Sequence, residues 1–391
     1  MISDAQLEEA FERAKAAGVP LHPNRIVIPR PGEMNAYDIL QPLLDPKEIP
    51  TIIGYVKEIL GRKKTPEAEA AYRRVMDLLR QTREAPYYLK RRNWDHGHDD
   101  YDDLKCIKPL VMLALHGSHA FEEERYAGLA EAVERSFNLV WLMREERSMF
   151  AELVRSAIIV YVSRSIGVAI KNNPESDMAL LVEPHIHDVG HIGSAIDMLT
   201  AEALVEIGLV RNVDQYGGEK QLRRMFATDQ MKDQPPINWR ALPAAEVDRE
   251  RLLTLVEAYT QMFNELGDSV LMDPNTLGTC GPIYVRVPKR SAAKEVLHGC
   301  LDSLYMMGNV QLQAGRTYTA ARAWVIAGLF YNLEGRWPES LEEAQRVSPE
   351  MYVSESATYR LTKKGPEVIT VPIDEPDFPT KSWPHIIWKL G

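Results

Sequence analysis

Apolar side chains recur every three to four positions over four long windows of this chain: Leu104 to Phe121, Tyr126 to Arg147, Ser148 to Ile170 and Ala292 to Tyr331. That period turns one face of an α-helix toward a core, and it is incompatible with the two-residue alternation of half-buried strands. Only Glu122-Glu123-Glu124-Arg125 joins the first two windows, a connection short enough to demand an antiparallel helical hairpin. Further helices are expected at Val189 to Gly208 and Arg249 to Leu266, separated by breakers such as Gly217-Gly218 and Asp233-Gln234-Pro235-Pro236. No tandem repeat of fixed period is present, so a regular solenoid is not supported. The fold class that follows is mainly α: packed helical hairpins with a small β-containing C-terminal extension.

The two ends differ from this middle. Ser3 to Ala17 carries Leu7, Ala10, Phe11 and Ala14 on one helical face, and Gly18 supplies a stop. The stretch Val19 to Pro50 then holds seven prolines, which remove backbone donors and predict an extended arm. Thr65-Pro66-Glu67 is a cap followed by a first-turn proline, opening a helix that ends near Pro86. At the far end Gly335 stops a helix, Trp337 packs back, and Ser340-Leu341-Glu342-Glu343 fits a capping box. Two short strands, Thr358 to Thr362 and Glu367 to Val371, flank a turn at Lys363-Lys364-Gly365-Pro366, and a Pro-rich tail with Trp383 and Trp388 follows. Three units are therefore expected: residues 1–64, an N-terminal helix and Pro-rich arm; 65–335, a helical-hairpin body; and 336–391, a small extension with a β-hairpin.

Composition narrows the partners. Acidic residues outnumber basic ones by 56 to 46, a net charge of -10, so the summed field repels phosphate backbones and no nucleic-acid partner is expected. Cys106, Cys280 and Cys300 show no CxxC spacing and read as ordinary thiols. The opening Met1-Ile2-Ser3-Asp4-Ala5-Gln6 lacks a basic n-region and an apolar h-region, which places the chain as written in the cytoplasm. Its most apolar run, Ala157 to Ile170, is shorter than the roughly 20 residues of a bilayer span, so no membrane span is expected and the run reads as a buried core helix.

Three segments carry a resemblance. Phe11 to Pro20 with its Pro-rich arm, the hairpin Glu124 to Leu142 leading into Leu153 to Ile170, and Ala321 to Ala344 together look like a large group of helical proteins abundant in planctomycete-type bacteria. Many members of that group resemble membrane-anchored proteins with an N-terminal apolar helix, which implies a membrane-anchored or periplasmic location if such an anchor has been removed. The group supplies no catalytic residues to carry over. The passage Asn332 to Leu341 is also similar to the helix-to-loop joint of type II secretion pseudopilins.

The chemistry worth testing lies in the histidines. Seven of the ten fall between His96 and His191, in three groups: His96-Gly97-His98-Asp99-Asp100, His116-Gly117-Ser118-His119 and His185-Ile186-His187-Asp188-Val189-Gly190-His191. Imidazoles and carboxylates form the natural ligand shell of a divalent transition metal, and His187 and His191 would share a helical face. His185 or Asp188 could complete the set; if the helix instead starts after Asp188, that residue is its N-cap and His185 and His187 lie in the preceding loop. The run His187 to Gly193 is similar to the HD dyad segment of metal-dependent phosphohydrolases, which implies a metal-activated water attacking phosphorus. That family's upstream histidine would fall near Val154 to Ala157, where there is none. His116 and His119, on an apolar helix, read as satisfied core or interface histidines, and residues 96–103 as a solvated acidic loop.

P-loop, dinucleotide, nucleophile-elbow and HExxH signatures are absent, and Gly278-Thr279-Cys280-Gly281-Pro282 reads as a plain turn. The expected function is a non-enzymatic interaction or scaffold role with a protein or peptide partner, since grooves between helical hairpins suit such ligands; a homo-oligomer is compatible with this. The alternative is a metal-dependent hydrolase using His185, His187, Asp188 and His191.

Overall fold

The computed structural model describes residues 3–21, 30–90, 101–122, 124–186, 292–351, 353 and 357–370, and some of those within 203–207 and 252–264. Helix α1, Asp4–Ala16, opens on a reciprocal cap: the Ser3 hydroxyl accepts from the Gln6 amide at 3.3 Å and the Gln6 side chain accepts from the Ser3 amide at 2.9 Å. Its buried face is Ala10 and Ala14, and Arg13 reaches Glu257 at 3.1 Å.

The Pro-rich arm is not uniformly extended, and here the sequence expectation is corrected. Residues 36–60 hold α2 (Ala36–Leu40), two single 3₁₀ turns and α3 (Ile49–Leu60). Pro42, Pro46 and Pro50 each occupy one of the first two positions of a helical segment, where the backbone N–H they lack would have had no partner. Leu40, Leu43, Ile52 and Val56 thereby join the core instead of lying over it.

Helix α4, Pro66–Gln81, starts as expected, with the Thr65 hydroxyl accepting from the Ala68 amide at 3.3 Å. The extended residues after it are stitched to the arm: Asn35 donates to the Leu89 carbonyl at 2.8 Å and accepts from the Leu89 amide at 3.1 Å. Helices α5 (Asp102–Phe121) and α6 (Arg125–Leu142) form the anticipated hairpin, and α7 (Met149–Asn172) follows, its first turn capped by Ser148. The last turn before α7 is 3₁₀, Met143–Glu145, so α6 ends earlier than the apolar pattern suggests.

After the short α8 (Met178–Val182) comes α9, Ala292–Glu334, an unbroken helix of 43 residues. Gly167 meets the Trp324 ring, Gly328 meets Ile170 and Ala179, and Asn332 donates to the Ser176 carbonyl at 3.0 Å. Both residue numbers rise together along these pairs, so α7 and α9 run side by side in the same direction. Helix α7 is, among the described residues, the one helix long and apolar enough to cross a membrane, and just over half of its most apolar stretch is buried beneath its neighbours. Inside the other expected helical windows, Ala203, Leu204 and Ile207 are buried, as are Val256, Tyr259 and Phe263, while Glu257 and Asn264 are exposed.

Gly335 takes φ +67 and donates to the Tyr331 carbonyl at 2.8 Å, ending α9 in the left-handed conformation that a side chain would resist. Trp337 then folds back against Tyr331, with ring centroids 4.9 Å apart. Ser340 caps α10 (Leu341–Ala344), but the box is not reciprocal: the Glu343 carboxylate accepts from the Glu339 amide at 2.6 Å and from Arg336 at 2.6 Å. The C-terminal strands are β1 (Ala357–Thr362) and β2 (Gly365–Thr370), antiparallel, with Thr358 opposite Ile369 and Arg360 opposite Glu367. The turn is only Lys363-Lys364; Gly365 and Pro366 already belong to β2. Tyr359 ties the hairpin to the helical body by donating to the Pro338 carbonyl at 2.9 Å. The molecule is thus mainly α with a small β extension.

Candidate functional site

The C-terminal histidine group enters the described structure through His185 alone, half-buried in the 3₁₀ turn Glu183–His185 that extends α8. The next carbonyl, that of Ile186, accepts from the Tyr318 hydroxyl of α9. Tyr318 in turn sets its ring edge against Phe137 of α6 at 5.9 Å and carries the Arg322 guanidinium 5.6 Å over its face. The chain therefore leaves for His187 from a point fixed between α6 and α9. His187, Asp188 and His191 lie outside the described residues, as do His96, His98 and Cys280. Among the described residues, no three His, Cys, Asp or Glu side chains converge as a metal site, so His116, His119 and His185 are not gathered with described carboxylates.

His116 and His119 stand one turn apart on α5. His116 Nε2 is hydrogen bonded to the Tyr161 hydroxyl of α7, and the two rings meet edge to face at 5.8 Å. Burial, then the neighbouring His119, holds the His116 imidazole below its ordinary value, while burial pushes the Tyr161 phenol up to about 12. Both groups are accordingly neutral at neutral pH. Burial, followed by Arg125 and Lys64, lowers His119 as well. Cys106 is a buried free thiol, pushed up to about 12 by burial and by Asp103, Asp102 and Asp45, which leaves it unreactive.

The apolar pattern did not reveal a cluster of buried charge where residues 87–90 cross the α6–α7 corner. Tyr88 donates to Asp103 at 2.8 Å, Lys90 Nζ lies 3.6 Å from the same carboxylate, and the Lys90 amide donates to Glu146 at 3.2 Å. On α7 the Arg155 guanidinium pairs with Glu152 at 2.5 Å and donates to the Val140 carbonyl at 3.0 Å, both side chains being 4% exposed. The available signal was Glu152 and Arg155 falling at i, i+3 at the start of a mostly apolar helix. The Arg155 bond joins α6 to α7, while the Glu152 Oε1 atom is buried without a hydrogen-bond partner.

The surface offers a different feature. Val168 (59% exposed), Leu180 (61%), Leu333 (70%), Leu361 (44%) and Ile369 (40%) belong to the C-terminal ends of α7 and α9, to α8 and to the hairpin, elements that meet at one end of the helical body. Lys171 and Arg336 rise over Trp324 and Phe330 at the same end. No family model, curated protein or solved structure matches this chain.

Proposed function

We propose that the protein is a non-enzymatic interaction or scaffold protein, and that a protein or peptide partner docks at the end of the body formed by α7, α8, α9 and the β-hairpin. The observation that carries this reading is the distribution of exposed apolar side chains. Five of the eight large ones among the described residues lie on these adjoining elements. Single exposed leucines are ordinary on any surface; what supports the reading is that these side chains sit on elements packed against α9, with Leu361 and Ile369 on the two opposite faces of the hairpin. Interior polar groups are taken up in joining elements: His116 bonds Tyr161 of α7, Arg155 donates to the Val140 carbonyl of α6, and Asp103 accepts from Tyr88.

A photo-crosslinking residue placed at position 333 or 180 in the producing cell tests it, with position 73 on α4 as the control. A discrete adduct at 333 and 180, weakened by Ile369→Asp and missing at 73, is expected; equal labelling at all three positions, or none at any, overturns the proposal.

The metal-dependent hydrolase remains a second reading because Tyr318 anchors the chain immediately before His187. In it His185, His187, Asp188 and His191 hold a divalent transition metal. Elemental analysis of the purified protein beside a His187→Ala, His191→Ala double variant decides: stoichiometric metal lost in the variant supports it, and none in either removes it.

A further inference from the structure

We propose that a second copy of the chain pairs with this one edge to edge along β2, antiparallel and about a twofold axis at Ile369. The proposal concerns main-chain groups of the hairpin and stands apart from the docking reading, so either can fail alone.

The register decides which groups are available. Proline has no N–H, so the pair of Pro366 with Leu361 is a non-hydrogen-bonded one. The bonded pairs are then Thr362 with Gly365, Arg360 with Glu367 and Thr358 with Ile369. By the same alternation Ala357, Tyr359 and Leu361 of β1, and Pro366, Val368 and Thr370 of β2, turn their main-chain groups away from the ladder. The two outer rows differ. Ala357 and Tyr359 are buried, with α10 beside β1 and the Tyr359 hydroxyl on the Pro338 carbonyl. Val368 and Thr370 are half-buried, and among the described residues their outward N–H and C=O groups bond to no other backbone segment. Such a row is a template for one more strand.

Three antiparallel registers let β2 meet its own copy. An axis at Glu367 sets the two Glu367 carboxylates opposite each other and puts Pro366 in a bonding position with no donor to give. An axis at Val368 again spends bonding positions on Pro366 and places Glu367 against Ile369 of the second copy. An axis at Ile369 avoids both faults. There Val368 exchanges N–H and C=O bonds with Thr370 of the second copy on either side of the axis. Ile369, 40% exposed, lies directly opposite Ile369 of the second copy in a non-bonded pair, where side chains approach most closely. Glu367 falls outside the paired stretch, and Arg360 takes up its charge at 3.0 Å. The strand thus matches itself in hydrogen bonding, in charge and in its exposed apolar residue.

Cysteine placement reads the register on the purified full chain. With Cys280→Ser and Cys300→Ser, and Cys106 left buried, Ile369→Cys should form an intermolecular disulfide under mild oxidation, since directly opposite residues hold their Cβ atoms about 4.5–5.5 Å apart. The two copies of Glu367→Cys would stand four residues apart along the strands, roughly 13 Å, and should link at least about tenfold more slowly. Sedimentation of the unaltered chain should show a concentration-dependent dimer, a weak one because so short a strand contact falls below the ~1,200 Å² of stable interfaces. Val368→Pro should abolish it and Val368→Ala should keep it, since only the first removes the outward N–H; slow exchange of the Arg360 and Glu367 amides reports that the ladder survives the proline. Slowing of the Val368 and Thr370 amides with rising concentration in the unaltered chain gives the same reading without a variant. A chain that stays monomeric up to about 1 mM, disulfides forming equally well at 367 and 369, or a dimer indifferent to Val368→Pro overturns the proposal.

Discussion

Replacing Gly117 by alanine separates two arguments of opposite sign. Gly117 sits inside α5, where propensity alone favours alanine by about 1 kcal/mol. The structure gives the other answer. A Cβ on Gly117 would lie 2.3 Å from Tyr72 Cδ2, 2.6 Å from Cγ and 2.9 Å from Cβ. Rotating the tyrosine could move the ring but not its Cβ, which is fixed to α4. The ring is also held in place: it is buried, stacked on Phe121 at 5.9 Å, and its hydroxyl donates to Glu122 at 2.7 Å. Burial and the Glu122 carboxylate raise the Tyr72 phenol, so it stays a donor. Relief therefore requires α4 and α5 to separate, at roughly 1–3 kcal/mol for overpacking, or the charge-assisted hydrogen bond to break, at roughly 1.5–3 kcal/mol. Against the propensity gain, Gly117→Ala should still destabilise, by up to about 2 kcal/mol in urea unfolding. In a Tyr72→Ala background, itself costing about 3–5 kcal/mol, the two ring contacts are gone and only the 2.9 Å Cβ contact remains, so the same change should cost less than in the parent, a coupling of about 1–2 kcal/mol. A single variant that is more stable than the parent, or a cycle that closes to within about 0.5 kcal/mol, refutes the packing argument.

Two further predictions concern α7. The Ser163 hydroxyl is buried without a hydrogen-bond partner, whereas the Ser148 hydroxyl accepts from the Ala151 amide at 3.1 Å as the helix cap. Ser163→Ala should stabilise by up to about 1 kcal/mol and Ser148→Ala should cost about 1 kcal/mol, the same substitution on one helix with opposite signs in a denaturation series. Arg155→Met should cost about 3–5 kcal/mol, because Glu152 is left buried and charged, while Glu152→Met with Arg155→Met should recover most of that loss; strictly additive singles would show that the pair is not coupled.

How far the fold could be read from sequence depended on the range of the interaction. The Thr65-Pro66 start, the Gly335 stop and the Ser340 cap are settled within a few residues, and they stand where the local chemistry put them. The prolines of the arm were misjudged because a proline breaks a helix interior but opens a helix equally well, and which applies depends on whether the next turn finds a core. Leu43 and Ile52 do find one. The hairpin turn came out two residues shorter than expected, since cross-strand pairing pulled Gly365 and Pro366 into β2. Partners distant in sequence left no trace in the pattern. His116 finds Tyr161 and Arg155 finds the Val140 carbonyl only once the hairpin closes. Likewise His185 shows its surroundings only through Tyr318 on a helix that begins more than a hundred residues later.

These long-range ties converge on α7. Its first turns hold the buried ion pair, its middle is hydrogen bonded to His116 of α5, and its last turns pass beside α9 and emerge at Val168. A helix read from sequence only as a buried apolar run thus joins the charged corner to the exposed apolar end.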